Sequence, residues 1–179
     1  RVDSTGRGLI PSRPCAHGPP AAVGALNGDG IYDVLLGVTA GVAGQRVIQR
    51  KDGHFVAAAE GQPWEADKAY DDWGALFFDA NGDGLQDLYV TSGGYQRGPG
   101  SPLLQDRLYI NQGGGRFVRD PQALPTMPTS KATVRAGGFA GEGPRDLCVG
   151  GPLTPRAHHN PTRTPVSRTP RRRSSPRGT

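Results

Sequence analysis

The chain has little of what an ordinary globular core is made from. Apolar residues supply only 35% of its 179 positions and aromatic residues 7%, and Met127 is the single methionine. No apolar run approaches the roughly 18 residues of a membrane-spanning helix, so a helical membrane span is excluded. Two cysteines, Cys15 and Cys148, are too few for a disulfide framework. Cys148 sits in the apolar stretch Leu147-Cys148-Val149, where a small buried thiol is expected in preference to a bridge with Cys15. Arg1 to Ile10 lacks the apolar segment of a signal peptide, and a removed leader would leave the same silence, so the start of the chain does not argue for the cytosol. Acidic residues are missing altogether from Pro152 to Thr179, which holds seven arginines. The other 151 residues carry 14 basic against 16 acidic side chains, so the sequence pI of 9.6 belongs to the tail. What is abundant instead is glycine, 28 residues, and proline, 17. At that density nearly every stretch long enough for a helix is interrupted, which excludes a helical bundle.

Internal repetition organises the rest. Ala75-Leu-Phe-Phe-Asp79-Ala-Asn81-Gly-Asp83-Gly84-Leu-Gln-Asp87-Leu-Tyr-Val90 has a partner in Val23-Gly-Ala25-Leu-Asn27-Gly-Asp29-Gly30-Ile-Tyr-Asp33-Val-Leu-Leu36. A weaker third copy runs from Ala136 to Val149, with Glu142-Gly143 in place of Asp-Gly. The marker glycines Gly30, Gly84 and Gly143 are 54 and 59 residues apart. Each copy opens with a short β-rich apolar run, turns through the acidic loop and leaves in a second run. Downstream, Arg46–Gln49 with His54–Val56, and Arg107–Asn111 with Arg116–Val118, read as two further strand pairs joined by Gly-containing turns. Four strands per unit linked by tight turns is the makeup of a propeller blade.

The expected fold is therefore all-β, a partial β-propeller of about two and a half four-stranded antiparallel blades. Residues 1–21 form an irregular N-terminal segment, 22–70 the first blade, 71–125 the second, 126–151 a partial third, and 152–179 a disordered basic Pro/Arg/Ser/Thr tail. Strand alternation turns one of each pair inward: Phe77 or Phe78, Leu88 or Tyr89, Leu108 or Ile110.

The acidic loop carries the chemistry. Counting Asp79 as position 1, side-chain oxygens fall at positions 1, 3, 5 and 9, namely Asp79, Asn81, Asp83 and Asp87. Gly84 permits a sharp turn, after which the Leu85 carbonyl can point inward. Such oxygens around a tight turn suit a hard cation of flexible geometry, and Ca2+ fits better than magnesium, which keeps its waters. An EF-hand would need a Glu at position 12 and flanking helices, whereas position 12 is Val90 and the flanks read as strands. Asn-Gly and Asp-Gly are also ordinary hairpin pairs, but turn chemistry does not ask for Asp at both positions 1 and 9. In the first loop Ala25 removes the position 1 donor, leaving the weaker set Asn27, Asp29, Asp33 and the Ile31 carbonyl. The third loop, with Gly138, Ala140 and Glu142, is expected to be a turn without an ion.

These residues resemble the FG-GAP and VCBS repeats of calcium-binding β-propellers, the blades also found in integrin α-subunit heads. Asp87-Leu-Tyr-Val-Thr-Ser-Gly-Gly94, Gly100 to Asn111, Gly113, Gly115 to Phe117 and Asp146 to Gly151 are similar to the secreted bacterial group related to cartilage acidic protein and UnbV/ASPIC. The resemblance covers about residues 22–151. It implies that Asp79, Asn81, Asp83, Asp87 and the Leu85 carbonyl are calcium ligands between a blade's first two strands. It also implies secretion or surface display, and protein or carbohydrate binding or adhesion without catalysis. A propeller closes with at least four blades, so the remaining blades would belong to a longer chain. The change of composition after Gly151 is that of a basic tail or of a shifted reading frame.

Two other function classes compete. A propeller hydrolase or lyase is an analogy of fold alone. None of His17, His54, His158 and His159 stands beside a Ser or Cys with an orienting acid, so the expectation is that the chain is not an enzyme. The arginine-rich tail could attract nucleic acid through phosphate contacts. It has no aromatic residue on which bases could stack, so a solvated tail is the better reading.

Overall fold

Short apolar runs separated by glycine turns pair with their nearest neighbours in the chain, because two-residue-period strands joined by tight turns close antiparallel ladders at little entropic cost. The computed structural model describes residues 20–58, 61–94, 97–137 and 146–151. Residues 1–19 with Cys15 and His17, the third loop with Gly138, Ala140 and Glu142, and the tail 152–179 with His158 and His159 lie outside the described residues.

The first sheet contains β1 (Ala21–Gly24), β2 (Asp33–Leu36), β3 (Gln45–Gln49) and β4 (Phe55–Ala57), hydrogen-bonded in that order. The second repeats the pattern with β5 (Asp72–Phe78), β6 (Asp87–Ser92), β7 (Arg107–Asn111) and β8 (Phe117–Arg119). A third sheet has the two strands β9 (Thr133–Gly137) and β10 (Asp146–Gly150) among the described residues. Every pairing among these strands is antiparallel, and Ala75 to Phe78 pairs with Asp87 to Val90 as the repeat requires. The helical content of the described residues is two single 3-10 turns, Pro63–Glu65 and Pro102–Leu104. The architecture is all-β, and none of the three sheets closes on itself.

Strand β5 lies between β1 and β9, so the second sheet is sandwiched by the other two. Phe77 with Phe78 and Leu88 with Tyr89 are consequently covered on both faces, whereas Leu108 and Ile110, two residues apart, share one face. Phe77, Leu88, Val90, Tyr109 and Phe117 pack with Ala22, Leu26, Leu35 and Trp64 of the first unit and its link. On the opposite face Phe78, Tyr89 and Leu108 pack with Val134 and Leu147, and Ile110 lies half-buried against them. All six residues of β6 are buried. Each large apolar side chain so enclosed contributes about 1.5–3 kcal/mol relative to exposure.

The third sheet corrects one expectation. Cys148 is exposed, because only one face of β10 is covered and alternation gives that face to Leu147; Cys148 shares the outer face with Arg135, its cross-strand partner. On the first sheet the face turned away from the second unit is also open. Val23 is 58% exposed and Phe55 52%.

Candidate metal centre

Both acidic loops connect the first two strands of their sheets, and because β1 and β5 are neighbours they emerge at the same edge. In the middle loop the Asp79 carboxylate closes the turn on itself. It accepts hydrogen bonds from the amides of Gly82 (2.6 Å), Asp83 (3.2 Å) and Gly84 (2.9 Å). Asn81 Oδ1 accepts from Asp83 N at 2.9 Å, Asn81 Nδ2 donates to Asp83 Oδ2 at 2.8 Å, and Asp83 Oδ1 accepts from Leu85 N at 2.8 Å. This winding needs a left-handed backbone at Gly82 and Gly84, whose φ values are 81° and 86°. Asp87, at the start of β6, is fully buried; its two oxygens accept from Asn111 N at 2.8 Å and Ala80 N at 2.9 Å.

The first loop is wound the same way. Asn27 Nδ2 donates to Asp29 Oδ2 at 2.9 Å, Asp29 N to Asn27 Oδ1 at 3.0 Å, and Ile31 N to Asp29 Oδ1 at 2.8 Å, with Gly28 and Gly30 both at φ 81°. Asp33 stands where Asp87 does, fully buried, with Oδ1 accepting from Gln49 N at 3.1 Å. Ala25, at position 1, has no carboxylate to close the turn from within.

The electrostatics follow from this packing. Burial pushes Asp87 above the ordinary carboxylate value, the Asn111 and Ala80 amides pull it back, and the charges of Asp83 and Asp79 push it up again. Asp33 is likewise raised by burial and opposed by the Gln49 and Leu26 amides, with Asp29 adding to the rise and the Arg46 charge opposing it. The ion pairs Arg107–Asp72, Arg119–Asp67 and Lys131–Asp106, all between described residues, involve no acid of either loop.

The described residues contain no group of three or more His, Cys, Asp or Glu side chains gathered tightly enough to hold a metal ion. The loop donors are carboxylates, one carboxamide and a peptide carbonyl spread over nine positions, and the exposed carboxylates are turned onto loop amides. In kind they fit a hard cation: all are oxygens, and the buried Asp87 carboxylate feels two other acids.

Three polar features escape a local reading of the sequence. Gln86 Oε1 accepts from Ala25 N at 2.8 Å, tying the middle loop to the first. The buried Asn111 donates to Leu26 O at 3.2 Å and Gln86 O at 3.1 Å, and its own oxygen accepts from Gly113 N at 2.9 Å. An asparagine that ends a strand shortly before a run of glycines is a visible signal, since Asn111 precedes Gly113, Gly114 and Gly115, but its partners 25 and 85 residues away are not. The third feature is a pair of interior networks. Arg107, Asp72, Tyr109, Asp67 and Arg119 are linked by hydrogen bonds, with the Arg107 guanidinium 4.3 Å from the Tyr70 ring centre. Lys131 Nζ lies 3.3 Å from Asp106 Oδ1, and Tyr89 OH donates to Asp106 Oδ2 at 2.6 Å. Arg107, Tyr109, Asp106 and Lys131 are buried, so both networks act as interior struts. No helix among the described residues is long and apolar enough to cross a membrane.

No curated protein matches the chain in a sequence comparison. The stretch that holds both acidic loops, residues 26–90, matches the family model of the FG-GAP-like repeat.

Proposed function

We propose that this chain is part of a calcium-binding β-propeller that serves as an extracellular or cell-surface interaction module. Its Ca2+ is structural rather than catalytic. The observation that carries the reading is the duplicated loop: the same Asn–Asp turn, followed four residues after the last Asp of the turn by a fully buried Asp, stands between the first two strands of two successive sheets. Asp79, Asn81, Asp83, Asp87 and the Leu85 carbonyl would hold one ion. Asn27, Asp29, Asp33 and the Ile31 carbonyl form the weaker site. A bound cation would offset the mutual repulsion of the acids and the burial of Asp87, so the ion's contribution is to the rigidity of the loop edge.

The remaining blades would come from a longer chain, and the ligand would be a protein or carbohydrate, as the repeat resemblance implies. Kinship with the UnbV/ASPIC-related group rests on the Asp87–Gly94 and Asp146–Gly151 patterns. Thermal melts in 1 mM CaCl2 and in chelator test the reading. For a dissociation constant on the order of 0.1 mM, calcium at that concentration stabilises the fold by about 1.4 kcal/mol. Melts that coincide in calcium and chelator would contradict it.

A further inference from the structure

We propose that the two acidic loops are a coupled pair, in which Gln86 and Asn111 are positioning residues that make the cation affinity of the first loop depend on closure of the middle one. The inference rests on the cation reading of both loops and goes beyond it.

The first loop keeps its Asn27–Asp29 winding but lacks the hold at position 1. In the middle loop Asp79 fixes the turn from position 1 by accepting three amides, whereas Ala25 at the same place in the first loop has no side-chain acceptor to offer. The hold comes from the neighbouring unit. Gln86, between the Leu85 carbonyl and the buried Asp87 of the middle loop, accepts the Ala25 amide at 2.8 Å. One residue further, the Leu26 carbonyl accepts from the Asn111 side chain at 3.2 Å. That same Asn111 side chain donates to Gln86 O at 3.1 Å, and the Asn111 main chain donates to Asp87 Oδ1 at 2.8 Å. Gln86 and Asn111 thus touch a proposed ligand of the middle loop at one end and the lead of the first loop at the other.

Packing keeps the link close. A Cβ placed on Gly24 would lie 2.5 Å from Gln86 Oε1 and 3.0 Å from the Phe77 side chain, so the lead into the first loop runs directly against Gln86 and Phe77. A middle loop closed around its ion fixes the backbone from Leu85 to Asp87, and with it the Gln86 side chain. The first loop then binds without the ordering cost of its own lead, which is positive coupling in the thermodynamic sense. Direct repulsion between two bound ions opposes this, and salt at 0.15 M screens charge over about 8 Å.

The test is a CaCl2 titration of the isotopically labelled full chain by amide NMR at about 0.15 M KCl, with Gly30 reporting the first loop and Gly84 the middle one. In the native chain the first loop should respond, and Asp83→Ala should weaken its affinity at least about fivefold, the lower end of ordinary coupling factors. Gln86→Ala should weaken the first loop alike and leave it indifferent to a further Asp83→Ala. Gln86→Glu, which keeps an oxygen acceptor for the Ala25 amide, should restore the dependence. Asn111 is buried and its replacement endangers the fold, whereas Gln86 is half-buried, so Gln86 carries the test. A first-loop affinity unchanged by Asp83→Ala, or a dependence that survives Gln86→Ala undiminished, overturns the coupling. A response at Gly84 without one at Gly30 overturns it while leaving the middle site intact. Silence at both glycines overturns the coupling and the cation reading together.

Discussion

Lys131→Met should be among the most damaging single changes in the chain, and its cost should depend on pH. The Lys131 ammonium is buried, 3.3 Å from Asp106 Oδ1, and donates to the carbonyls of Met127 (2.6 Å), Thr129 (3.0 Å) and Leu104 (3.3 Å). Methionine keeps the length of the stem and removes the charge, stranding a buried carboxylate that retains, among the described residues, Tyr89 OH at 2.6 Å and Ser92 N at 2.9 Å. Breaking one side of a buried pair costs about 3–5 kcal/mol, a large share of a fold stable by about 5–15 kcal/mol. Burial already raises Asp106 above its ordinary 3.8, and Lys131 is the first influence that lowers it. The folded chain therefore binds a proton at Asp106 more readily than the unfolded chain does. Its carboxylate costs stability above the raised folded value, and that cost disappears as pH falls through it. Without Lys131 the folded value rises further, so the deficit of the variant is greatest at neutral pH and shrinks on mild acidification. Urea unfolding of both chains at about pH 7.5 and pH 5 measures this through the midpoint and slope. A deficit below about 1 kcal/mol at the higher pH, or one of equal size at both pH values, would refute the buried-pair argument.

Trp64 packs edge-on against Tyr109, with ring centres 5.7 Å apart, and lies 5.4 Å from Phe117. Trp64→Ala should thus lower stability by about 3–5 kcal/mol in the same unfolding assay, and a loss under about 1 kcal/mol would place the residue outside the core it joins. The open face of the first sheet predicts self-association: Val23 and Phe55 are exposed, while Phe77 and Phe117, their equivalents in the second sheet, are buried. Light scattering should show concentration-dependent association that Val23→Thr with Phe55→Ser reduces, and a native chain that stays monomeric with concentration-independent melting would contradict this.

The sequence was readable where structure is local. Periodicity of two and glycine punctuation place the strands, and the Asp-x-Asn-x-Asp spacing places the middle loop, because both depend on residues a few positions apart. Facing was harder. Phe77 and Phe78 are adjacent and both buried, since a second sheet covers each side of β5, and a one-sided strand pattern cannot foresee that. The opposite error arises at Cys148, where an apolar run covered on one face exposes its alternate residue. The burial of Lys131 and Arg107 is not visible locally, because their partners Asp106 and Asp72 lie 25 and 35 residues away. Gln86 and Asn111 are beyond local reading for the same reason: their contacts join two repeats.

Calorimetric titration of the full chain with CaCl2, set beside the same titration of Asp83→Ala, tests the calcium reading most directly. Asp83 is exposed and its removal spares the core, so a lost signal reports the loop itself. The native chain should take up calcium with a dissociation constant on the order of 0.1 mM, and Asp83→Ala should lose the middle-loop uptake. Uptake of equal affinity and stoichiometry in both chains, or none in the native chain, would contradict it.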